Sequence, residues 1–319
     1  MTFSACTPVV QPNASEITQP SLTGNAFMAR DRVSLPMRSW LPENGPPKAI
    51  ILALHGFNDY SNAFDAPGRY LAKHGIAVYA YDQRGFGQAP DHGLWPGTEN
   101  LVNDLKDAAK IIQTRHPGIP FYLLGESMGG AVVMAATTRP APPRFDGIIL
   151  SAPAVWGRDT MPMSYRISLF LTAHTMPWLT LSGRGLHIMA SDNIEMLRGL
   201  FRDPLIIKKT RVDAIFGLAN LMDEAFFATA RVPGPLLLLY GASDEVVPRK
   251  AMARALRTLP NSDAIPRTVA IYGKGYHMLL RDLNAAIPLG DIVAWITAPG
   301  APLPSGADHQ KLTENYGSS

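Results

Sequence analysis

Phe121-Tyr122-Leu123-Leu124-Gly125-Glu126-Ser127-Met128-Gly129-Gly130 decides the fold in ten residues. Four apolar residues lead into a serine bracketed by glycines, and Ala131 to Ala136 follow without a helix breaker. The apolar run reads as a buried strand and Met128 to Thr138 as a helix. A serine between them stands on a sharp strand-to-helix turn that lifts its hydroxyl above the sheet. Small residues two before and two after let the backbone bend that tightly. The same turn sets the Met128 amide at a helix N-terminus, where it can stabilise developing negative charge. In a chain of 319 residues with 27 Gly, the bare G-x-S-x-G pattern also arises by chance. A structural serine in a tight turn is the plain alternative, and only the surroundings give the pattern specificity.

Strands and helices alternate outward from this stretch in both directions. Ala49 to Leu54, Ile76 to Tyr81, Gly147 to Leu150, Leu236 to Tyr240 and Thr268 to Tyr272 are short, nearly continuous apolar runs. Strands covered on both faces look like this. Ala63 to His74, Glu99 to His116, Arg249 to Leu259 and Asn284 to Trp295 have helical spacing. In the second of these, Leu101, Leu105, Ala108 and Ile112 share one face, and Pro117-Gly118 stops the helix. The alternation predicts an α/β fold with a doubly wound, mostly parallel sheet. Ala26 to Leu41 is expected to add an antiparallel edge hairpin.

Residues 153–234 break the rhythm, being far longer than a crossover needs. They hold Met161, Met163, Met176, Met189, Met196 and Met222, six of the thirteen methionines, along with Trp156 and Trp178. This insertion predicts a helical cap over the C-terminal edge of the sheet, since flexible Met-rich surfaces suit variable apolar ligands. The alternative is a helical subdomain whose methionines fill only its own core. Residues 1–24 read as a flexible tether, 25–299 as the main domain, and 300–319 as a polar tail.

Composition removes several classes. Lys and Arg are scattered and the net charge is only +3, which speaks against a nucleic-acid surface. No run approaches the roughly 18 apolar residues of a membrane-spanning helix. The single cysteine, Cys6, cannot form an internal disulfide. The eight histidines show no metal-ligand spacing, so neither a metal nor another cofactor is expected.

A serine nucleophile needs a base, and the base needs an orienting acid. On this architecture both follow later strands, in the order serine, acid, histidine. The run 236–240 ends in Gly241-Ala242-Ser243-Asp244-Glu245, which offers Asp244 as the acid with Glu245 as a rival. The run 268–272 ends in Gly273-Lys274-Gly275-Tyr276-His277, which offers His277 as the base. His74, His92, His116, His174, His187 and His309 have surface or packing positions. Beyond Leu54 comes His55-Gly56-Phe57-Asn58-Asp59. Gly56 allows close backbone approach, so the Phe57 amide is the second oxyanion donor beside Met128. His55 is expected to bond loop backbone. Asp82 and Arg84, in a loop after Ile76 to Tyr81, are expected to tie neighbouring loops together.

HGF (55–57), YDQRGFG (81–87), GESMGG (125–130), GASDEVV (241–247) and GKGYH (273–277), in this order, resemble the α/β-hydrolase superfamily. The nearest likeness is to its monoacylglycerol lipase and lysophospholipase branch. The resemblance covers roughly residues 26–298. It implies Ser127 as nucleophile, Asp244 as acid, His277 as base, Phe57 and Met128 amides as oxyanion hole, and a cap lining an acyl pocket. Two departures stand out: Glu126 occupies a position usually held by His, and the first loop reads HGFND rather than HGGG. The expected reaction is hydrolysis of acyl esters of monoacyl lipids, with a small-molecule ester or lipid as the only partner. Amide cleavage is the rival, with Glu126 or Glu195 receiving a substrate ammonium. A non-catalytic binding protein on the same scaffold would have lost a triad member.

Phe3-Ser4-Ala5-Cys6 resembles the end of a bacterial lipoprotein signal, yet no apolar stretch precedes it. Two readings of Cys6 follow: a lipidated anchor in the cell envelope, or a free thiol on a cytoplasmic protein.

Overall fold

The computed structural model describes residues 7–12, 17–183, 185, 188–260 and 264–312; Cys6 and His187 lie outside the described residues. In chain order the elements are β1 (Ser21–Thr23), β2 (Ala26–Met28), β3 (Ser34–Trp40), β4 (Ala49–Leu54), α1 (Asp65–Lys73), β5 (Ile76–Tyr81), α2 (Thr98–Arg115), β6 (Phe121–Glu126), α3 (Met128–Thr138) and β7 (Gly147–Ser151). The inserted region carries α4 (Met163–Thr175), β8 (Thr180–Leu181), α5 (Ile194–Arg202), β9 (Thr210–Arg211) and α6 (Val212–Ala228). The chain returns to the sheet with β10 (Leu236–Gly241), α7 (Arg249–Thr258), β11 (Arg267–Tyr272) and α8 (Ala286–Thr297).

Nine strands form one sheet in the order β1-β2-β3-β5-β4-β6-β7-β10-β11. From β5 to β11 neighbours are parallel, while β1, β2 and β3 make an antiparallel edge joined to β5. The mostly parallel, doubly wound sheet is the one expected. Alternate side chains of β4 explain why its sequence runs apolar without a break. Ile50, Leu52 and Leu54 enter a core with Leu105, Ala108 and Val132. Ala49, Ile51 and Ala53 enter a second core with Leu71, Ile292 and Trp295 on the other face. Each fully buried Leu or Ile contributes about 1.5–3 kcal/mol relative to exposure. Among the described residues no helix is long and apolar enough to cross a membrane.

The insertion divides into two parts. α6 packs on α3 and gives Leu221, Ala225, Phe226 and Ala228 to the main core, so it belongs to the body of the domain. α4, α5 and the antiparallel pair β8–β9 form the roof. Met163, Met176 and Met189 are exposed, so these methionines do not fill a core of their own.

Parts of both terminal segments are docked. Gln11 donates its backbone N–H to Trp95 O (2.9 Å), and residues 21–23 form β1. In the expected polar tail, Leu303 and Ala307 are buried against the α1 and α8 face. Ser305 donates its hydroxyl to Asp291 Oδ2 at 2.5 Å. Isolated anchors of this kind leave no periodic signature in sequence.

The loop after β5 is held by charge. Arg84 donates to Asp104 on α2 at 2.6 and 2.8 Å, and to Asp31 at 2.5 and 2.7 Å. Burial pushes the Asp104 carboxyl up to about 6 against the pull of Arg84. Asp82 accepts from Ser61 N (3.0 Å), Ser61 Oγ (2.5 Å) and Gln88 N (2.8 Å). Both residues tie loops together, as expected. Arg84→Met strands two buried carboxylates and is predicted to lower unfolding free energy by about 3–5 kcal/mol in urea titrations. A change below about 1 kcal/mol would show that the cluster stabilises nothing.

Candidate active site

Ser127 has φ 53°, a left-handed conformation rare for a residue with a side chain. Backbone contacts over-determine it. Its N–H donates to Ser151 O (2.9 Å), and its carbonyl accepts from Ala131 N (3.1 Å) and Ala154 N (3.0 Å). The flanking glycines are required by space. A Cβ on Gly125 would lie 2.4 Å from Gly130 N, and one on Gly129 would lie 2.1 Å from Leu54 O. Met128 opens α3, so its N–H is among the helix-terminal donors without an intrahelical acceptor.

The loop after β4 closes on this turn. A Cβ on Gly56 would sit 3.3 Å from Ser127 Cβ, which measures how near the two backbones run. The Phe57 ring is wedged against Phe86 and Trp95, with centroids 5.6 and 6.3 Å away, which fixes the loop that carries its amide. His55 is buried within the same loop. Its Nε2 accepts from Gln83 N (2.9 Å), so the proton sits on Nδ1 and is donated to Gly56 O (2.9 Å). Burial holds this imidazole below its ordinary pKa and favours the neutral ring. His55 is a backbone brace, as expected.

Across the cavity, His277 Nδ1 donates to Asp244 Oδ2 at 2.9 Å, with both side chains buried. Asp244 Oδ1 accepts from the amides of Val246 (2.8 Å) and Val247 (2.9 Å), which lock the carboxylate. Glu245 instead accepts from Met189 N (2.6 Å) in the inserted region. With Nδ1 committed to Asp244, Nε2 is the nitrogen left for proton transfer. Burial disfavours the imidazolium, but the Asp244 carboxylate outweighs it and the His277 pKa is raised. Glu126 pushes in the same direction and Arg281 opposes.

Ser127, His277 and Phe57 line one cavity of about 510 Å³. Trp156, Met161, Leu169, Leu218 and Met222 of the insertion make most of its wall apolar. A larger groove of about 1130 Å³, beside Lys48 and Lys73, contains none of the candidate residues. The other described histidines are engaged elsewhere. His74, His92 and His174 donate Nδ1–H to the backbone carbonyls of Tyr70, Gly87 and Phe170, and His116 meets the Tyr79 hydroxyl. His309 lies in a short turn of helix at Ala307–His309. Among the described residues no group of three or more His, Cys, Asp or Glu is placed to hold a metal ion.

One functional candidate escaped the sequence reading. Arg281, four residues after His277, is buried between Glu126 Oε1 (2.7 Å) and Asp59 Oδ2 (2.8 Å). Its signal was Glu126 itself, because a carboxylate at the end of a buried strand needs a cation.

A strand-to-helix serine turn, a later Asp–His pair and a roofed cavity define an α/β-hydrolase. Residues 45–284 match the family model described as serine aminopeptidase, S33, and the chain belongs to that family, within the monoacylglycerol lipase branch of the α/β-hydrolases. It is 27% identical to the monoglyceride lipase of Rattus norvegicus over 82% of this chain and 86% of that protein. Identity to the monoacylglycerol lipase of Mycolicibacterium smegmatis is 24%, over 81% of this chain and 91% of that one. The fold matches the monoacylglycerol lipase of Paleococcus ferrophilus with a TM-score of 0.67 at 23% identity, covering 83% and 98% of the two chains. A soluble variant of the Saccharomyces cerevisiae monoglyceride lipase matches with a TM-score of 0.69 at 20% identity, covering 92% and 98%.

The pair has a titration signature. His277 is predicted to titrate above the ordinary imidazole value of about 6.5. Asp244→Asn removes the main interaction that favours the imidazolium and leaves burial and Arg281 opposed only by Glu126, so its pKa falls. Histidine titration by NMR measures both. An unchanged midpoint in the variant would show that Asp244 does not set the charge of the ring.

Proposed function

We propose that this chain hydrolyses acyl esters of monoacyl lipids through an acyl-enzyme on Ser127. The observation that carries this is that His277, hydrogen-bonded to buried Asp244, lines the same largely apolar cavity as the strained Ser127 turn. His277 Nε2 takes the Ser127 proton as Oγ attacks the acyl carbonyl, and Asp244 stabilises the imidazolium. The Phe57 and Met128 amides receive the oxyanion, each such donor being worth about 3 kcal/mol of barrier. His277 then protonates the departing alcohol and activates water for deacylation. The names of the relatives, monoglyceride and monoacylglycerol lipases, support the same substrate class.

Amide cleavage has less support, although the family description includes aminopeptidases. Glu126 is held by Arg281, and Glu195 pairs with Arg198 on the exposed face of α5. Each carboxylate is already paired with an arginine.

A fluorophosphonate probe is predicted to label the wild-type protein and not Ser127→Ala, whose turnover falls by roughly 10⁴–10⁶-fold. Acyl ester hydrolysis should outrun hydrolysis of aminoacyl amides across a series of chain lengths. An unlabelled wild type, or preference for the amides, would overturn the proposal. The two readings of Cys6 differ in mass: a lipid anchor increases the intact mass of Cys6-containing protein from its native host, and a free thiol does not.

A further inference from the structure

The sheet sets Phe57 and Ser127 side by side but leaves His277 far off. Phe57 follows β4 and Ser127 follows β6, and these two strands are hydrogen-bonded neighbours. His277 follows β11, which lies beyond β7 and β10 at the edge of the sheet. Strands stand about 4.8 Å apart, so three steps across the sheet put the end of β11 about 14 Å from the end of β6. The loop after β11 must therefore lean back over the sheet edge to bring the base to the nucleophile. Ser243 N donates to Gly275 O at 2.9 Å and Asp244 bonds His277, which secures this loop to the one after β10 but not to the nucleophile side.

Arg281 joins the two sides. Its Nη2 donates to Glu126 Oε1 at 2.7 Å, and its Nη1 lies 2.8 Å from Asp59 Oδ2. Glu126 is the last residue of β6, directly before Ser127, and Asp59 stands two residues beyond Phe57. Among the described residues, Arg281 makes every hydrogen bond and ion pair that joins the loop after β11 to Glu126, the Ser127 turn or the loop after β4. Arg281, Glu126 and Asp59 are 8%, 2% and 5% exposed, so solvent screens these contacts little. The ends of the tie are themselves fixed. Arg281 N donates to Met278 O at 2.8 Å and Arg281 O accepts from Asn193 Nδ2 at 3.0 Å, while Asp59 Oδ1 accepts from Tyr60 N at 2.8 Å.

We propose that Arg281 is a positioning residue, a buried tie that draws the loop carrying His277 onto the Ser127 turn and the Phe57 loop. It rests on the serine-hydrolase reading and adds to it the residue that sets the reach of the base. A general base must come within about 3 Å of the oxygen it deprotonates. A misplacement of about 1 Å can cost about 100-fold in rate. Each carboxylate meets a different guanidinium nitrogen, so the tie depends on the width of that group as well as on its charge. An ammonium is a single compact charge and cannot hold the two carboxylates at the same separation.

The test compares kcat and KM for a soluble ester, p-nitrophenyl butyrate, well below the Tm of each variant. Glu126 and Arg281 act on the charge of His277 in opposite senses, so each kcat is taken on the alkaline plateau of its own pH profile. Two variants are used. Arg281→Lys keeps the charge and loses the span. The triple variant Asp59→Asn/Glu126→Gln/Arg281→Met loses the tie while stranding no charge. In both, kcat should fall at least tenfold with KM within threefold of the wild type, the mark of an interaction felt in the transition state. Either variant decides alone, so failure of one to fold leaves the test intact. Full activity in Arg281→Lys would reduce the residue to a charge, and a lowered Tm with wild-type kcat in the triple variant would reduce it to a stabilising ion pair; both results end the proposal. A raised KM with unchanged kcat would also end it, by making Arg281 a substrate contact. A wild type that fluorophosphonate fails to label at Ser127 would instead remove the hydrolase reading on which the tie rests.

Discussion

The positive φ of Ser127 is the constraint on which the site depends. A residue with a Cβ in this conformation costs about 1–3 kcal/mol, so it persists only where its surroundings leave no alternative. Here β6 and β7 fix the incoming chain, α3 fixes the outgoing chain, and the Ser127 carbonyl is tied to both Ala131 and Ala154. Gly125, Gly129 and Gly130 then let α3 press against the ends of β4 and β6 more closely than any side chain permits. The result is a hydroxyl at the sheet edge with a helix N-terminus directly behind it. Core packing on both faces of the sheet supplies the stability that holds the turn in place.

Charge is handled by one device used twice. Arg84 and Arg281 each sit buried between two carboxylates from distant parts of the chain. A guanidinium suits this role because its fork presents donors on several sides and stays protonated when desolvated. Around Arg84 the hydrogen bonds are complete and bidentate to both partners, so that cluster acts as a brace. Around Arg281 several atoms remain unsatisfied and the cluster borders the cavity. The same three charges are thus fully bonded in one place and incompletely bonded in the other.

Much of this was legible in the sequence, for physical reasons that differ by element. β4 and β5 were bounded to the residue because strands buried on both faces are apolar without interruption. The Ser127 turn and the Asp244 and His277 loops were found because each follows such a strand directly. Residues 300–319 read as a polar tail, and the docking of Leu303 and Ala307 within it was not legible because each anchors singly, without periodicity. α6 was folded into the cap in the sequence reading, since no local feature tells whether an inserted helix packs on the body. Arg281 was missed for a similar reason: its partners, Asp59 and Glu126, are 222 and 155 residues away in the chain.

The insertion is also bound to the loops that carry the acid and the base. Residues 189–193 bond to Glu245, next to Asp244, through Met189 N, and to the loop after His277 through Ala190 O, which accepts from Met278 N (2.9 Å). Ser191 donates its hydroxyl to Asp282 Oδ1 (2.6 Å), whose other oxygen accepts from Tyr276 N (2.8 Å), the residue before His277. Asn193 Nδ2 reaches Arg281 O (3.0 Å). A displacement of residues 189–193 would therefore pull on the backbone on both sides of His277. By contrast, α4 contributes only Ala173 as a fully buried side chain, and α5 contributes none. Local stability follows buried contacts, so the roof is softest along α4 and α5 and stiffest at 189–193. Access to the cavity past α4 and α5 would leave the His277–Asp244 geometry undisturbed, whereas access past 189–193 would not.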